Sequence, residues 1–226
     1  MRVVLLHSAL GDSRLWRRQV EALSPDHEVI APDLPGWGTE PLPELPFSFV
    51  ERVAAHLPAA LVGNSFGGAV ALRTALANPG RVPRLVLIDS GLPAWDWTEE
   101  MRDHFAREEA AFEAGDLEGA TELNLEFWVA PEHRDEVRPQ QLLSMQLQSA
   151  HEEPEVLWPE MPPLSTLEIP VLVIVGDDDK PDFIRIGEHL AEELPHAELV
   201  MVPGAGHLAA LDRPDVLNRL LLEFLG

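Results

Sequence analysis

Six short runs of consecutive apolar residues alternate along the chain with helix-like patterns, and this alternation constrains the fold more than any other feature. The runs are continuous instead of alternating between apolar and polar residues, which is typical of strands buried on both faces of a parallel sheet. They fall at residues 2–6, 27–31, 59–62, 84–89, 171–175 and 198–202. Strands that alternate with helices form doubly wound sheets with right-handed crossovers. The sequence therefore predicts an α/β fold with a doubly wound, six-stranded, mainly parallel sheet.

The segment between the fourth and fifth runs breaks this rhythm. It has no strand-like run. It has instead three helical patterns, at residues 99–114, 117–129 and 136–150, all longer than the helical pattern at residues 47–57. Ligands of open α/β sheets bind outside the carboxyl ends of the strands. We interpret residues 91–167 as a helical lid inserted after the fourth strand to cover this edge. The remaining segments, 1–90 and 168–226, then form one α/β core.

The charge of the chain excludes several classes of partner. It contains 16 Lys and Arg against 39 Asp and Glu, which gives a formal net charge of −23 at pH 7. Nucleic acids and anionic membranes would repel such a chain, so we expect neither as a partner. No apolar run reaches the roughly 18 residues needed to span a bilayer. The short apolar N-terminus lacks the features of a signal peptide, which predicts a cytoplasmic protein.

The third apolar run leads directly into Gly63-Asn64-Ser65-Phe66-Gly67, and a helical pattern follows. A strand, a Gly-x-Ser-x-Gly turn and a helix form the context of a nucleophile elbow, where a serine lies on a tight and strained turn. Glycines at 63 and 67 remove side chains that would collide there. The elbow also supplies the backbone N–H of Phe66 as a donor to an oxyanion. Ser65 is therefore the candidate nucleophile.

Other polar residues with acid–base chemistry follow later strands. Residues 177–179 are three aspartates directly after the fifth strand, Asp89 follows the fourth strand, and His207 follows the sixth. All of these residues lie on the same edge of the predicted sheet as Ser65. A serine nucleophile needs a base that takes its proton, and a histidine base needs a carboxylate that fixes its tautomer. Ser65, an aspartate and His207 supply this set, and the acid is either Asp89 or one of residues 177–179.

Four stretches of the sequence resemble the α/β-hydrolase fold family: residues 6–11, 63–68, 176–179 and 204–207. The resemblance covers essentially the whole chain. It implies that Ser65 is a nucleophile, His207 its base and an aspartate the orienting acid. In the family's common pattern the acid is the last residue of Gly-x-x-Asp, which selects Asp179 over Asp89 and over the two preceding aspartates.

The same resemblance implies that Ala9, in the loop after the first strand, supplies the second amide of an oxyanion hole. His7 and Ser8 stand where the family more commonly has His-Gly, and the loop is similar to that of enol-lactonases. We interpret His7 and Asp33 as residues that hold the loops and not as additional bases. No cofactor is implied. The chain has no cysteine, and its histidines and carboxylates show no metal-ligand spacing, so we expect no metal site.

Aromatic residues in the lid and beside the sheet predict the lining of a substrate pocket. Binding sites tend to be apolar with few polar groups, and we expect Leu10, Trp37, Trp95 and Trp128 to contact substrate. No cluster of Arg or Lys indicates a phosphate handle, so an uncharged, largely apolar acyl group is expected. The sequence thus predicts a serine hydrolase for a small carboxylic ester, lactone or thioester.

Several other functions would use the same residues. Carbon–carbon bond hydrolysis, acyl transfer and cofactor-free perhydrolysis share these motifs, since a fold does not fix a substrate. A ligand-sensing protein that keeps the triad is a further alternative. The chain starts at the first parallel strand, without the antiparallel hairpin that is common in relatives. The sequence leaves both a monomer and a homodimer open.

Overall fold

A six-stranded parallel sheet forms the centre of the protein. The computed structural model describes residues 1–150 and 154–226. Its strands are β1 (Arg2–Leu6), β2 (Glu28–Ile30), β3 (Ala60–Asn64), β4 (Leu85–Ile88), β5 (Val171–Gly176) and β6 (Ala197–Val202). They are arranged in the order β2-β1-β3-β4-β5-β6, and every neighbouring pair is parallel. The predicted α/β fold is confirmed, and the sheet is parallel throughout.

The burial of each strand follows its place in the sheet. β3, β4 and β5 are buried at every position, and β1 is buried at every position except Arg2. β2 and β6 lie at the edges and are partly exposed. Continuous apolar runs therefore mark strands that are covered on both faces, as expected for a parallel sheet.

Helices cover both faces of the sheet. They are α1 (Arg17–Leu23), α2 (Phe49–Ala54), α3 (Phe66–Ala77), α4 (Glu99–Glu113), α5 (Leu117–Trp128), α6 (Arg134–Ser149), α7 (Pro181–Glu193), α8 (Ala209–Asp212) and α9 (Pro214–Leu225). One face packs against α1 and α9, and the opposite face packs against α2, α3 and α7. None of the helices in the described part of the chain is both long enough and apolar enough to cross a bilayer.

The second helix is shorter than its sequence pattern. The apolar spacing predicts a helix over residues 47–57, but α2 covers only Phe49–Ala54. Ser48 caps the helix by accepting from the Glu51 N–H, and Phe47 pairs instead with Val156 in an isolated bridge. Pro58 disfavours a helical conformation in the residue before it, which limits the other end.

The helices α4, α5 and α6 follow one another between β4 and β5, where the sequence predicts the lid. α4 packs against α5, and α5 packs against α6. An apolar cluster then joins α5 and α6 to α8 and to the segment after β1 through Leu10, Leu125, Val137 and Leu211. This cluster fixes the helical insertion above the carboxyl edge of the sheet. Of the predicted lid segment, residues 151–153 lie outside the described residues.

Candidate active site

Ser65 lies on the turn between β3 and α3. Its backbone has φ 54° and ψ −114°, which is outside the regions that residues with side chains usually occupy. The Ser65 N–H donates to the Ile88 carbonyl of β4 at 2.9 Å, and the Ser65 carbonyl accepts from the N–H groups of Ala69 and Gly91. Strain of this kind persists only where the surroundings hold it, and it is common at functional sites.

Gly63 and Gly67 permit this turn because neither position has room for a side chain. A Cβ atom at Gly63 would lie 2.3 Å from the Gly67 carbonyl oxygen, and one at Gly67 would lie 2.3 Å from the Leu6 carbonyl oxygen. Both obstacles are backbone atoms, which cannot rotate out of the way. The close approach of strand and helix that the sequence predicts is therefore present.

His207 lies between Ser65 and Asp179 at the carboxyl edge of the sheet. Its Nε2 is 2.8 Å from the Ser65 Oγ, and its Nδ1 is 2.8 Å from the Asp179 Oδ2. Only 3% of the His207 side chain and 1% of the Asp179 side chain are exposed. A carboxylate at Nδ1 holds the ring proton there and leaves Nε2 free to accept the proton of the serine. The fold thus joins three predicted residues in one hydrogen-bonded chain.

Of the three consecutive aspartates, only Asp179 contacts His207. Asp177 braces the neighbouring loop, because its Oδ1 accepts from the Gly204 N–H at 2.6 Å, and Asp178 is exposed. The second oxygen of Asp179 accepts from the Lys180 N–H at 2.7 Å, which orients the carboxylate. The geometry therefore matches the family pattern that places the acid at Asp179.

Asp89, the other candidate acid, forms no hydrogen bond with His207 among the described residues. It is completely buried at the end of β4, and its Oδ1 accepts from the Gly176 N–H at 2.8 Å. Burial, and then the negative charge of Asp179, raise the pKa of Asp89 well above its usual range. This shift favours a neutral carboxyl, which can donate a proton to a hydrogen bond with Asp179.

The raised pKa of Asp89 predicts how stability changes with pH. A carboxyl with a higher pKa in the folded state than in the unfolded state stabilises the fold fully below the unfolded value of 3.8. This contribution is lost as the pH rises from that value through the folded pKa. The Asp89→Asn amide is neutral at every pH and keeps an acceptor for Gly176 and a donor for Asp179. We therefore expect Asp89→Asn to gain stability over the wild type as pH rises.

Chemical denaturation at about pH 4 and at about pH 8 measures the difference in stability between Asp89→Asn and the wild type. The lower pH is close to the ordinary pKa of aspartate, and the higher pH is well above it. The free energy of unfolding of Asp89→Asn minus that of the wild type should be larger at the higher pH. An equal difference at both values would show that Asp89 is ionised in the folded protein.

The two amides predicted to bind an oxyanion flank Ser65. Phe66 is the first residue of α3, where an N–H has no acceptor within the helix. Ala9, in the loop after β1, lines the same cavity as Ser65 and Phe66. Within the described residues, neither amide donates to another group. Both are therefore available to a ligand in the cavity.

His7 holds the loop that carries Ala9. The ring is buried. Its Nδ1 is 2.8 Å from the Ser8 carbonyl oxygen, and its Nε2 accepts from the Leu34 N–H at 2.9 Å. Burial lowers the pKa of His7, which favours the neutral ring that this pair of bonds requires. The Ser8 hydroxyl accepts from the Leu10 N–H, so the serine that replaces the family's glycine adds a bond within the loop.

Asp33 braces the second loop beside the sheet. Its carboxylate accepts from the Ser13 N–H and from both the N–H and the hydroxyl of Thr39. These hydrogen bonds outweigh the opposing effect of burial and lower the pKa of Asp33. Like His7, Asp33 has the loop-holding contacts that the sequence predicts.

The serine opens into a cavity of about 520 Å³ between the sheet edge and helices α4, α5 and α6. Leu10, Trp37 and Trp128 line it, as the sequence predicts, and the Trp128 ring lies 4.6 Å from that of His207. Trp95 is not part of the wall, which corrects the prediction for this residue. Its ring lies 5.7 Å from that of His189 on α7.

Several lining residues were missed by the sequence analysis. Aromatic and apolar examples are Trp97, Phe105, Met145, Trp158 and Phe183, and polar examples are Arg73, Glu108, Asn124, Gln141 and Gln148. The helical spacing of the lid predicts that an apolar face is buried, but it cannot distinguish packing against the core from packing around a cavity. The polar residues give no sequence pattern at all.

A polar network across helices α4, α5 and α6 reaches the loop of Ala9. The Asn124 amide donates to Glu108 at 2.7 Å, and burial raises the pKa of Glu108. With its amide oriented to satisfy both ends, Gln141 accepts from Asn124 and donates to the carbonyls of Ala9 and Leu10. These helices therefore help to position the loop that carries Ala9.

An all-parallel sheet with a strained serine between strand and helix, hydrogen-bonded to a histidine after the last strand, defines the class of this protein. The chain belongs to the alpha/beta hydrolase family, whose family model matches residues 3–220. Among the described residues, no group of three or more histidines and carboxylates is arranged to hold a metal ion.

Several curated relatives of the chain are named as hydrolases or esterases. It is 32% identical to the pimeloyl-[acyl-carrier protein] methyl ester esterase of Chromobacterium violaceum, over 99% of this chain and 93% of the relative. It is 30% identical to a 2-hydroxy-6-oxononadienedioate/2-hydroxy-6-oxononatrienedioate hydrolase of Burkholderia vietnamiensis, over 99% and 86% of the two chains.

Solved structures share the fold over nearly the whole chain. The 2-hydroxy-6-oxo-6-phenylhexa-2,4-dienoate hydrolase of Rhodococcus sp. strain RHA1 superposes with a TM-score of 0.78 at 27% identity, over 99% of this chain and 90% of the other. Est816, described as an N-acyl homoserine lactone degrading enzyme, superposes with a TM-score of 0.76 at 25% identity, over 99% and 93%. The protein is an enzyme of the α/β-hydrolase type.

Proposed function

We propose that the protein is a serine hydrolase that cleaves a small carboxylic ester, lactone or thioester through an acyl-serine intermediate. The observation that carries this proposal is the continuous hydrogen-bonded chain from Asp179 through His207 to the Ser65 Oγ, which ends in the cavity. Serine becomes a nucleophile when a base accepts its proton. The strained turn at Ser65 holds the hydroxyl within hydrogen-bond distance of the His207 Nε2.

In the proposed acylation, the Ser65 Oγ forms a bond to the substrate carbonyl carbon while its proton passes to the His207 Nε2. The carbonyl oxygen becomes negative and accepts from the N–H groups of Ala9 and Phe66. The bond to the leaving group then breaks, and the leaving group takes the proton from His207. Removing a single oxyanion donor typically costs about 10²–10³-fold in kcat.

In the proposed deacylation, water takes the place of the leaving group. His207 accepts a proton from the water as the water oxygen bonds to the acyl carbon, and the same two amides stabilise the second oxyanion. The bond between carbonyl carbon and Ser65 breaks, and His207 returns the proton to the serine. Asp179 stays ionised throughout and stabilises the cationic ring.

The cavity and the relatives support different parts of the substrate assignment. The walls are mainly apolar and include several Trp and Phe side chains, which suits an apolar acyl group. The Chromobacterium violaceum relative is named an ester hydrolase, which supports ester cleavage. The Burkholderia vietnamiensis relative is named for a dienedioate and not for an ester, and it supports a second candidate, hydrolysis of a carbon–carbon bond by the same residues.

We further propose that residues 91–167 act as a lid on a core formed by residues 1–90 and 168–226. Residues of this segment, Trp97, Phe105 and Trp128, line the cavity, and Gln141 contacts the Ala9 loop. A lid that excludes water strengthens the electrostatic interactions within the site. Substrate choice then depends mainly on the lid, and reaction type on the core.

Pre-steady-state hydrolysis of p-nitrophenyl esters tests the proposal. An acyl-serine intermediate predicts release of about one equivalent of p-nitrophenol per enzyme in a rapid burst whenever deacylation is slower than acylation. A panel of lactones, thioesters and carbon–carbon substrates, assayed in the same way, ranks the two candidates. Failure to turn over any member of the panel, together with a substrate-dependent change in the lid, would instead indicate a ligand-sensing protein.

A further inference from the structure

Arg73 is the only arginine or lysine that lines the cavity, among the residues that the structure describes. It lies on α3, two helical turns after the serine. Ala69 and Arg73 follow Ser65 at intervals of four residues, so all three face the same side of the helix and all three line the cavity. The cation and the candidate nucleophile therefore belong to one site.

No carboxylate neutralises this cation within the described residues. Arg2, Arg138 and Arg185 each form an ion pair with an acidic side chain, whereas Arg73 forms none. Burial lowers the pKa of Arg73, and no neighbouring negative charge opposes that effect. A partly buried charge without a partner is costly. The chain has 39 Asp and Glu against 16 Lys and Arg, yet none of the described carboxylates pairs with Arg73.

The acidic residue of the cavity does not serve as the partner. Glu108 is hydrogen-bonded to Asn124, and burial raises its pKa, which weakens its negative charge. Arg73 donates to the Pro159 carbonyl and Glu108 accepts from Asn124, and no ion pair joins Arg73 and Glu108 within the described part of the chain. The two groups therefore act in separate parts of the cavity wall.

The guanidinium is held in place without using most of its donors. It lies over the Trp158 ring, with 4.7 Å from Cζ to the ring centroid, and its Nη1 donates to the Pro159 carbonyl at 3.4 Å. A guanidinium has five N–H donors in a planar fork that matches a carboxylate. Arg73 is thus oriented by stacking and retains donors for a ligand.

We propose that Arg73 binds a carboxylate at the end of the substrate remote from the scissile carbonyl, so that the enzyme prefers half-esters of dicarboxylic acids. This inference rests on the proposed function. Eight residues of helix separate the Cα atoms of Ser65 and Arg73 by about 12 Å, so the carbonyl and the carboxylate lie on the order of 10 Å apart. The sequence predicts an uncharged acyl group. This inference predicts instead an acyl chain with an apolar middle and an anionic end.

Two esters of the same length test the preference. Mono-p-nitrophenyl octanedioate has the terminal carboxylate, and p-nitrophenyl octanoate has a methyl group in its place. We expect the wild type to have the higher kcat/KM for the half-ester, and Arg73→Gln to lower the ratio of the two kcat/KM values by about 10- to 100-fold, the range for a hydrogen bond to a charged group. Arg219→Gln removes the same charge from an exposed position on α9 and should leave both rates unchanged.

Binding of octanedioate to Ser65→Ala, measured by isothermal titration calorimetry, separates this inference from the proposed function. We expect Arg73→Gln in that background to weaken octanedioate at least tenfold and octanoate much less. Ester hydrolysis with no preference for the half-ester, and with a ratio that Arg73→Gln does not change, would overturn the inference and leave the hydrolase proposal intact. Arg73-dependent binding without hydrolysis of either ester would retain the carboxylate site and reject the hydrolase.

Discussion

Substitution of Ser65 by alanine is expected to lower kcat for p-nitrophenyl ester hydrolysis by about 10⁵- to 10⁶-fold, the loss typical of removing a triad nucleophile. The Oγ is the atom 2.8 Å from the His207 Nε2, and alanine leaves that nitrogen without a proton to accept. The residual rate would reflect the oxyanion amides and substrate binding alone. Steady-state assays with burst analysis measure both the rate and the disappearance of the acyl intermediate.

Ser149→Ala is the matched control, because Ser149 is exposed at the end of α6 and bonds only within its own helix turn. Its activity should equal that of the wild type. Thermal unfolding of Ser65→Ala should remain cooperative, since the change removes one oxygen at a strained position. A variant that folds and keeps more than about a hundredth of the wild-type kcat would rule out Ser65 as the nucleophile.

Asp179→Asn is expected to have the second large effect, a decrease in kcat of about 10⁴-fold. The asparagine amide can donate to the His207 Nδ1, which favours the tautomer that carries its proton on Nε2. That nitrogen could then no longer accept the proton of Ser65, although the 2.8 Å geometry would be kept. Rates at several pH values, with thermal unfolding as the check on folding, measure the loss.

The Asp178→Asn variant controls for the chemistry of the substitution, because Asp178 is exposed and does not contact His207. It should retain wild-type activity. Asp89→Asn distinguishes the two buried candidates. If Asp89→Asn lost about 10⁴-fold and Asp179→Asn were active, the orienting acid would be Asp89.

The sheet and the meeting of its polar residues could be predicted from the sequence for a simple physical reason. Strands that are covered on both faces need continuous apolar runs, and parallel strands all end at one edge. Ser65 and His207 follow separate strands, and the sheet brings their side chains to 2.8 Å without any further information. The glycines beside Ser65 mark the turn because backbone atoms approach too closely for a Cβ.

The walls of the cavity could not be predicted in the same way. Trp95 and Trp97 lie in an irregular segment before α4, which follows a turn where Ala94 has φ 59°. No periodicity assigns side-chain direction there, and Trp97 takes the place expected for Trp95. Arg73 lies on a half-buried side of α3, and its contacts with Trp158 and Pro159 join segments that are far apart in the sequence.

The central claim is that Ser65 is an activated nucleophile, and intact-mass spectrometry after treatment with a fluorophosphonate tests it most directly. The reagent bonds covalently to a serine whose proton is accepted by a neighbouring base. The account predicts a single adduct on the wild type and on Ser149→Ala, and none on Ser65→Ala. An unmodified wild-type protein, or an equal adduct on Ser65→Ala, would contradict it.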